Sequence, residues 1–358
     1  MTRVLQVLGR SAGGIARHVA QVTAALDGSD GLIIDIAGPP DLPLEMPKAV
    51  IPLTIPDGPI GGHRRAIRAL RHLIGAYDVV HAHGLRAGID AGIATRRSGT
   101  LSLVTVHNLV RTEISGPKAI LYRRAEAAAV LATDHTFAVS NDIARHLRAG
   151  LKRRVDRIEV LYLGIGEPPP VTRSKSEVRA ALGVGEASLI VTVARLAPQK
   201  SLDVLIDALA RVDAGTHLAI LGEGPLRVDL EQRMRTARLE GRVHFLGFRD
   251  DVADHIAAAD VFALSSVWEG VPLAAQEAIL LDTPVVATDV GGMRELIANK
   301  VSGRLVPPGD PAALADALTE VLSSDERRST YTRSALATLR DRFSTEKMLA
   351  RLRDAYGA

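Results

Sequence analysis

The chain has 358 residues, a formal net charge of +3 and no cysteine. That length accommodates two domains that each bury a core, with no disulfide or thiolate–metal staple. Aromatic residues make up only 3% of the sequence, too few for the stacking platforms of a nucleic-acid binder, and no nucleic-acid partner is expected.

The stretch MTRVLQVLGRSAGG enters a short apolar strand directly and lacks the long apolar core of a signal peptide. No run reaches the ~18 apolar residues of a membrane span. With the absence of cysteine, these features predict a cytoplasmic protein. Apolar, β-branched runs then recur in chain order: RVLQVL, LIIDIA, DVVHAH, SLVTVH, HTFAVS and IEVLYLG, followed by LIVTVA, HLAILG, VHFLG, DVFALS and PVVATD. Stretches with helical spacing separate most of them, among them Ile15–Leu26, His63–Leu73, Ser201–Arg211 and Leu226–Leu239. Continuous apolar strands alternating with helices predict α/β domains built on parallel sheets buried on both faces.

Three consecutive prolines at 168–170 within EPPPVTRSKSE can continue neither strand nor helix, and mark a linker. Two doubly wound domains are expected, 1–166 and 171–342. A break near Arg342–Ser344 precedes a last helix, Thr345–Tyr356, within a segment 343–358 expected to cross back to the first domain. The polar residues Gly13–Gly14, His81–His83, His107–Asn108 and Ser140 follow first-half strands; Arg195, Gly222–Gly224, Gly247–Phe248 and Ser265–Ser266 follow second-half strands. Ligands of parallel sheets bind beyond the carboxyl ends of strands, so a ligand held in a cleft between the domains is expected.

Trp268–Ala287 carries Glu269 and Glu277 with seven residues between them. Pro272 suits the first turn of a helix and not its interior, so a helix is predicted from Pro272 or Leu273 to about Leu281, with Glu269 in the preceding loop. On one helix the two carboxylates would be separated by ~12 Å of rise. Glycosidase pairs stand ~5 Å or ~6.5–9.5 Å apart, so these do not read as an acid–base couple. They read as hydrogen-bond acceptors beside an anion site formed by the free N–H groups of Leu273, Ala274 and Ala275. A loop cap and a solvated helix residue remain equally compatible with the spacing.

Arg195 and Lys200 in VARLAPQKSLDVLIDAL follow a strand and open a helix, where a bound anion would offset the unfavourable dipole. Two solvated surface cations are the alternative. Gly222-x-Gly224 lacks the third glycine of a dinucleotide fingerprint, since Arg227 stands there, and a tight strand–helix turn is its default reading. His81 and His83 face one side of a strand end, but without cysteine or a clear third ligand a metal site is disfavoured. No Asp-x-Asp pair occurs, so nothing marks a divalent metal on a diphosphate. Arg64, Arg65, Arg68 and Arg71 share a helix with apolar Ile67, Leu70 and Ile74; this pattern fits the wet face of a packed helix or a contact with anionic lipid on the cytoplasmic face.

The early GG loop, DVVHAH, TVHN, FAVSND, VARLAPQK, LGEGP, FLGF, ADVFALSSVWEG and EAILLDTPVVATDVGGMREL together resemble family 4 of the retaining nucleotide-sugar glycosyltransferases. That resemblance implies the GT-B fold: two Rossmann-like domains, acceptor-side then donor-side, facing across a cleft that closes to exclude water. It implies that Arg195 and Lys200 bind the donor diphosphate, that Glu269 contacts sugar hydroxyls and that Glu277 holds ribose. Gly270, Val271, Leu273 and Ala274 would offer backbone to sugar and phosphate, and Gly222 and Gly224 would line the donor. Phe248 and Arg249 fall where members contact the base, His107 near the transferred sugar, and Gly13 and Gly14 in the loop closing over it. Ser201 replaces the glycine that usually follows the lysine.

The implied reaction is metal-independent and cofactor-free transfer, with retention, from a nucleoside-diphosphate sugar. A UDP-sugar is expected ahead of GDP-mannose. The acceptor would be a hydroxyl of a small molecule, glycan or lipid-linked sugar. The alternatives are a nucleotide-sugar epimerase of the same fold and a non-catalytic nucleotide-binding member.

Overall fold

The computed structural model describes residues 1–10, 13–42, 45–58, 61–108, 119–151 and 155–358. Ser11 and Ala12 of the early glycine loop lie outside the described residues. The chain forms two compact units, one of residues 1–164 and 345–358, the other of residues 165–344.

In the first unit β1 (Thr2–Leu8), β2 (Leu32–Gly38), β3 (Val50–Pro52), β4 (Val79–His83), β5 (Leu101–Val106), β6 (His135–Ala138) and β7 (Ile158–Val160) form a parallel sheet in the order β3-β2-β1-β4-β5-β6-β7. Its central strands are buried nearly throughout, because helices cover both faces of such a sheet. Leu5, Val7, Val80 and Ala82 pack with Ala66 and Leu70 of the helix His63–Leu73 and with Ala87 and Ala91 of the helix Leu85–Ala94.

The second unit holds β8 (Leu189–Val193), β9 (His217–Leu221), β10 (Val243–Gly247), β11 (Val261–Leu264), β12 (Val285–Thr288) and β13 (Arg304–Val306), also parallel, in the order β10-β9-β8-β11-β12-β13. The helices Leu202–Leu209 and Pro311–Leu322 bury Leu202, Leu205, Leu209, Leu314 and Leu318 against this sheet. Local chemistry sets several helix starts. Ser174 and Glu177 form a reciprocal capping box, and Asp310 accepts from Ala312 and Ala313 N–H just before Pro311.

Both sheets reverse their order once, between β1 and β4 and between β8 and β11. Such a reversal opens a crevice at the carboxyl ends of the two strands, because their connections leave in opposite directions. The two short strands β3 and β13 have no counterpart among the apolar runs in the sequence, and the helices Gly14–Leu26, Leu202–Leu209 and Arg227–Thr236 end within a few residues of their expected limits.

Candidate functional site

In the second unit, the loops after β8 and β11 meet over the order reversal. The turn Pro198–Lys200 brings Lys200 Nζ to 2.5 Å from Glu269 Oε1, and Ser266 Oγ donates to the same carboxylate oxygen at 2.5 Å. Glu269 is 6% and Lys200 19% exposed at the side chain, so the pair is largely withdrawn from water. The carboxylate supplies the negative charge that a cation at the start of the helix Leu202–Leu209 calls for. Lys200 was expected to find that charge in a bound anion; here Glu269 provides it from within the chain.

Backbone contacts hold Glu269 from two sides. Gln199 Nε2 donates to Trp268 O at 2.9 Å and Val267 N to Gln199 O at 2.9 Å. From the other side Thr288 Oγ1 donates to Ser266 O at 2.5 Å and Gly292 N to Glu269 O at 3.3 Å. Gly291 has φ +52°, and a Cβ there would lie 1.8 Å from Glu269 O. Only glycine permits this approach.

Arg195, just beyond β8, is exposed and has no side-chain partner among the described residues. Gly222 and Gly224, beyond β9, press their backbone against Ala194 and Leu196: a Cβ would fall 2.2 Å from Ala194 O at the first and 2.3 Å from Leu196 O at the second. Close packing of two loops therefore accounts for both glycines without any ligand. Beyond β10, Phe248 is 73% exposed, while Arg249 is engaged by Asp251 at 2.7 and 2.6 Å. The guanidinium holds the Asp251 carboxyl down at about 2.

The helix after Glu269 runs Leu273–Leu280 with Pro272 at its N-cap, so Glu269 and Glu277 stand on separate elements. Pro272 O accepts from Ala275 and Gln276 N–H. Val271 and Gly270 are buried, Leu273 and Ala274 partly exposed at the helix start. Glu277 is buried, which removes the reading of it as a solvated helix residue. Ser201, in the place of the family's usual glycine, adopts the left-handed conformation that glycine favours, with φ +46°.

In the first unit, Gly13 caps the helix Gly14–Leu26 with φ +97°, and both glycines are exposed. His107 follows β5 and joins a buried network that was only partly foreseeable. His83 Nδ1 lies 3.1 Å from His107 Nε2, and His83 Nε2 lies 2.6 Å from Gln6 Oε1. Gln6 Nε2 donates to Tyr356 Oη at 2.8 Å. Tyr356 Oη is 2.7 Å from His81 Nδ1, and His81 Nε2 is 2.7 Å from Thr105 Oγ1. His18 packs edge-on against the rings of His83 and His107, buried, with neither nitrogen partnered among the described residues.

Burial pushes the imidazoles down, His18 to about 4 and His81 to about 3, with His83 and His107 well below the ordinary value, so all four are neutral near pH 7. No group of three or more His, Asp or Glu among the described residues is arranged to hold a metal ion. Gln6, His18 and Tyr356 were not foreseen as parts of this site. Period-two alternation put His81 and His83 on one face, but nothing local links them to a tyrosine at the other end of the chain.

Two parallel α/β units, each with polar side chains gathered beyond the carboxyl ends of its strands, define the class of the two-domain sugar transferases. The model for glycosyltransferase family 4 matches residues 12–166, and that for glycosyl transferases group 1 matches residues 187–324. The D-inositol 3-phosphate glycosyltransferase of Xylanimonas cellulosilytica is 31% identical over 308 residues, covering 79% of this chain and 72% of that one. An Escherichia coli UDP-Gal:alpha-D-GlcNAc-diphosphoundecaprenol alpha-1,3-galactosyltransferase is 27% identical over 78% of this chain and 75% of its own. The Anabaena HepE protein, solved in complex with UDP and glucose, superposes over 100% of both chains with TM-score 0.85 at 21% identity. The chain belongs to the family 4 glycosyltransferases and has their GT-B fold.

Proposed function

We propose that this glycosyltransferase moves a sugar from a nucleoside-diphosphate sugar, a UDP-sugar ahead of GDP-mannose, to a hydroxyl acceptor, with retention and without a metal. The observation that carries the reading is that Lys200 and Arg195, the latter exposed and without a side-chain partner among the described residues, both follow β8 at the order reversal of the second sheet. Two cations at such a crevice suit a diphosphate, since they neutralise the charge that grows on it as it leaves. They also take the place of a divalent ion in that task.

In this reading the bond from the anomeric carbon to the donor phosphate breaks and one from the acceptor oxygen forms on the same face. The acceptor proton passes to the departing phosphate oxygen. Glu269 then orients sugar hydroxyls, Glu277 the ribose and Phe248 the base, with backbone from Gly270, Val271, Leu273 and Ala274. His107, in this reading, contacts the transferred sugar. The donor named for the E. coli relative is UDP-Gal, and its named acceptor is lipid-linked, which supports a UDP-sugar and keeps lipid-linked, glycan and small-molecule acceptors in play.

The test is a thermal-shift screen with UDP-, GDP- and ADP-sugars followed by transfer assays, because a bound donor raises the melting temperature by mass action. Arg195→Ala, Lys200→Ala and Glu269→Gln should each lose most turnover; intact rates in all three reject the reading. An isomerised sugar nucleotide without acceptor adduct identifies the epimerase instead, and binding without turnover a non-catalytic member.

No described helix is long and apolar enough to cross a membrane. The lack of cysteine supports a reducing, cytoplasmic setting. Arg64, Arg65, Arg68 and Arg71 on the helix His63–Leu73 are all exposed with no side-chain partner among the described residues, which favours a contact with anionic lipid on that side.

A further inference from the structure

Phe248, 73% exposed, stands beyond β10 on a short loop that is anchored at both ends. At one end Gly247 turns out of the strand with φ +70°, and its carbonyl accepts from Gly222 N at 2.7 Å. At the other end Asp251 is the N-cap of the helix Val252–Ala258. Only Phe248, Arg249 and Asp250 stand between these anchors. Together with Asp251 they line an open hollow of about 300 Å³, a volume at the lower end of small-ligand sites.

The Asp251 carboxylate grips Arg249 side-on, with Nε donating to Oδ1 at 2.7 Å and Nη2 to Oδ2 at 2.6 Å. Arg173 Nη1 donates to the same Oδ2 at 3.3 Å, and His255 Nδ1 lies 2.9 Å from the Asp251 carbonyl oxygen. The residue before Arg173 is itself pinned: Thr172 N and Oγ1 donate to Asp254 Oδ1 and Oδ2 at 2.7 and 2.8 Å. An isolated surface ion pair is worth little, but a bidentate pair within such a network keeps its geometry. An exposed arginine otherwise samples many rotamers, and ordering it on a ligand costs affinity. Here folding has already ordered the guanidinium.

Side-on engagement leaves the N–H groups of Nη1 and the outer N–H of Nη2 unused by Asp251. These can only donate, so they suit the acceptor edge of a planar ring, a carbonyl oxygen or a bare ring nitrogen. The exposed Phe248 ring offers a face for such a ring to stack on. Asp250 and Asp251 offset the charge of Arg249, so the hollow suits a neutral ring better than a phosphate. We propose that Asp251 is a positioning residue that holds Arg249 beside Phe248 to receive the acceptor edge of the donor's nucleobase. The assignment rests on the reading of the chain as a user of nucleoside-diphosphate sugars with the base at Phe248. Helix capping alone predicts no such role, since asparagine caps a helix as well as aspartate does.

The test is calorimetric titration of the full chain with UDP, GDP, ADP and inorganic pyrophosphate, which keeps two phosphates and lacks the base. Asp251→Asn keeps the size and the helix cap but sets an amide N–H₂ against the guanidinium. It should weaken whichever nucleotide binds by roughly five- to tenfold, the effect of one hydrogen bond, and leave pyrophosphate unchanged. In transfer assays the donor KM should rise by the same factor with kcat nearly unchanged, because contacts to the base do not alter as the sugar–phosphate bond breaks. Arg249→Met should weaken the nucleotide at least as much, and adding Asp251→Asn to it should then change almost nothing, since the two residues act as one unit. Arg249→Lys keeps the charge but cannot take both carboxylate oxygens; it should show the same loss and serves if Asp251→Asn fails to fold. Unchanged nucleotide affinity in folded Asp251→Asn or Arg249→Lys, an equal loss for pyrophosphate, or additive losses in the double variant overturns the proposal. A natural chain that binds none of the nucleotides rejects the donor reading itself, so the two failures are distinguishable.

Discussion

Lys200 and Glu269, 69 residues apart, share one short ion pair, 2.5 Å from Nζ to Oε1, while Arg195 a few residues away has no partner among the described residues. The two cations assigned to the same phosphates therefore differ in what else they do. Removing Lys200 leaves a nearly buried carboxylate with only the Ser266 hydroxyl bonded to it among the described side chains, whereas removing Arg195 strands no partner among them. Lys200→Ala is expected to cost about 2–4 kcal/mol of stability in the second unit, and Arg195→Ala within about 0.5 kcal/mol. Both should lower transfer by roughly 10²–10³-fold. Denaturant melts beside turnover assays separate the two effects; equal stabilities for both variants would count against the ion pair as a structural element.

That pair also marks the limit of what the sequence discloses. The continuous apolar strands are legible because both faces of a parallel sheet are buried, and Pro272 discloses the start of its helix because proline tolerates so few positions. β3 and β13 escape notice because each has only three residues, VIP and RLV, too few for any period to appear. Lys200–Glu269 depends on strand order, and Tyr356–Gln6–His83 on which residue of the last helix meets Gln6; no local pattern encodes either. His18 reads as an ordinary helix residue until its neighbours are in place.

Ser201 sits at φ +46° directly after Lys200. A side chain in the left-handed region costs ~1 kcal/mol relative to glycine, partly offset because glycine makes the unfolded chain more flexible. Ser201→Gly should leave stability equal to the natural chain or raise it by up to ~1 kcal/mol, and turnover should be preserved. A clear loss of stability would show that the Ser201 hydroxyl, 3.2 Å from Asp203 Oδ1, matters more than the backbone strain.

Gly291 presents the opposite case. Its Cβ position is occupied by Glu269 O, and its backbone is left-handed as well. Gly291→Ala must therefore displace the Glu269 loop, at a cost of about 2–4 kcal/mol, and transfer should fall even where the variant remains folded. Gly13→Ala meets nothing within 4 Å and should cost only the conformational strain of ~1–2 kcal/mol. If Gly291→Ala melts with the natural chain, the close approach is not a constraint.

The buried histidines give the first unit a defined pH response. His18 and His81 have folded pKa values pushed down to about 4 and about 3, below the ordinary 6.5 of the unfolded chain. The unfolded chain thus binds more protons between those values, and stability is full above about pH 6.5 and is lost as pH falls toward the folded values. From pH 7 to pH 5 each such histidine costs about 2 kcal/mol. His18, with both nitrogens unpartnered, suits replacement by an apolar residue of similar size. His18→Leu should gain stability over the natural chain, by a margin that widens by about 2 kcal/mol between pH 7 and pH 5. Melting curves at both pH values decide it, and a margin independent of pH would mean that His18 is not buried as a neutral ring.

The four arginines of the helix His63–Leu73 allow a prediction about the manner of any membrane contact as well as its occurrence. Ala66 and Leu70 on the opposite side belong to the core of the first unit, so no apolar face is free to enter a bilayer. Binding must then be electrostatic, worth at most ~1 kcal/mol per arginine near an anionic surface and screened within a Debye length of ~8 Å at physiological salt. The full chain should float with vesicles rich in phosphatidylglycerol at low salt, stay behind with phosphatidylcholine vesicles, and be released by ~0.5 M salt, where screening is strong. Replacing Arg64, Arg65, Arg68 and Arg71 together by glutamine should abolish flotation and leave transfer to a water-soluble acceptor unchanged, since none of the four belongs to the donor site. Flotation that persists in high salt would point to apolar insertion elsewhere. No flotation with anionic vesicles at any salt concentration would leave these arginines as the solvated side of a packed helix.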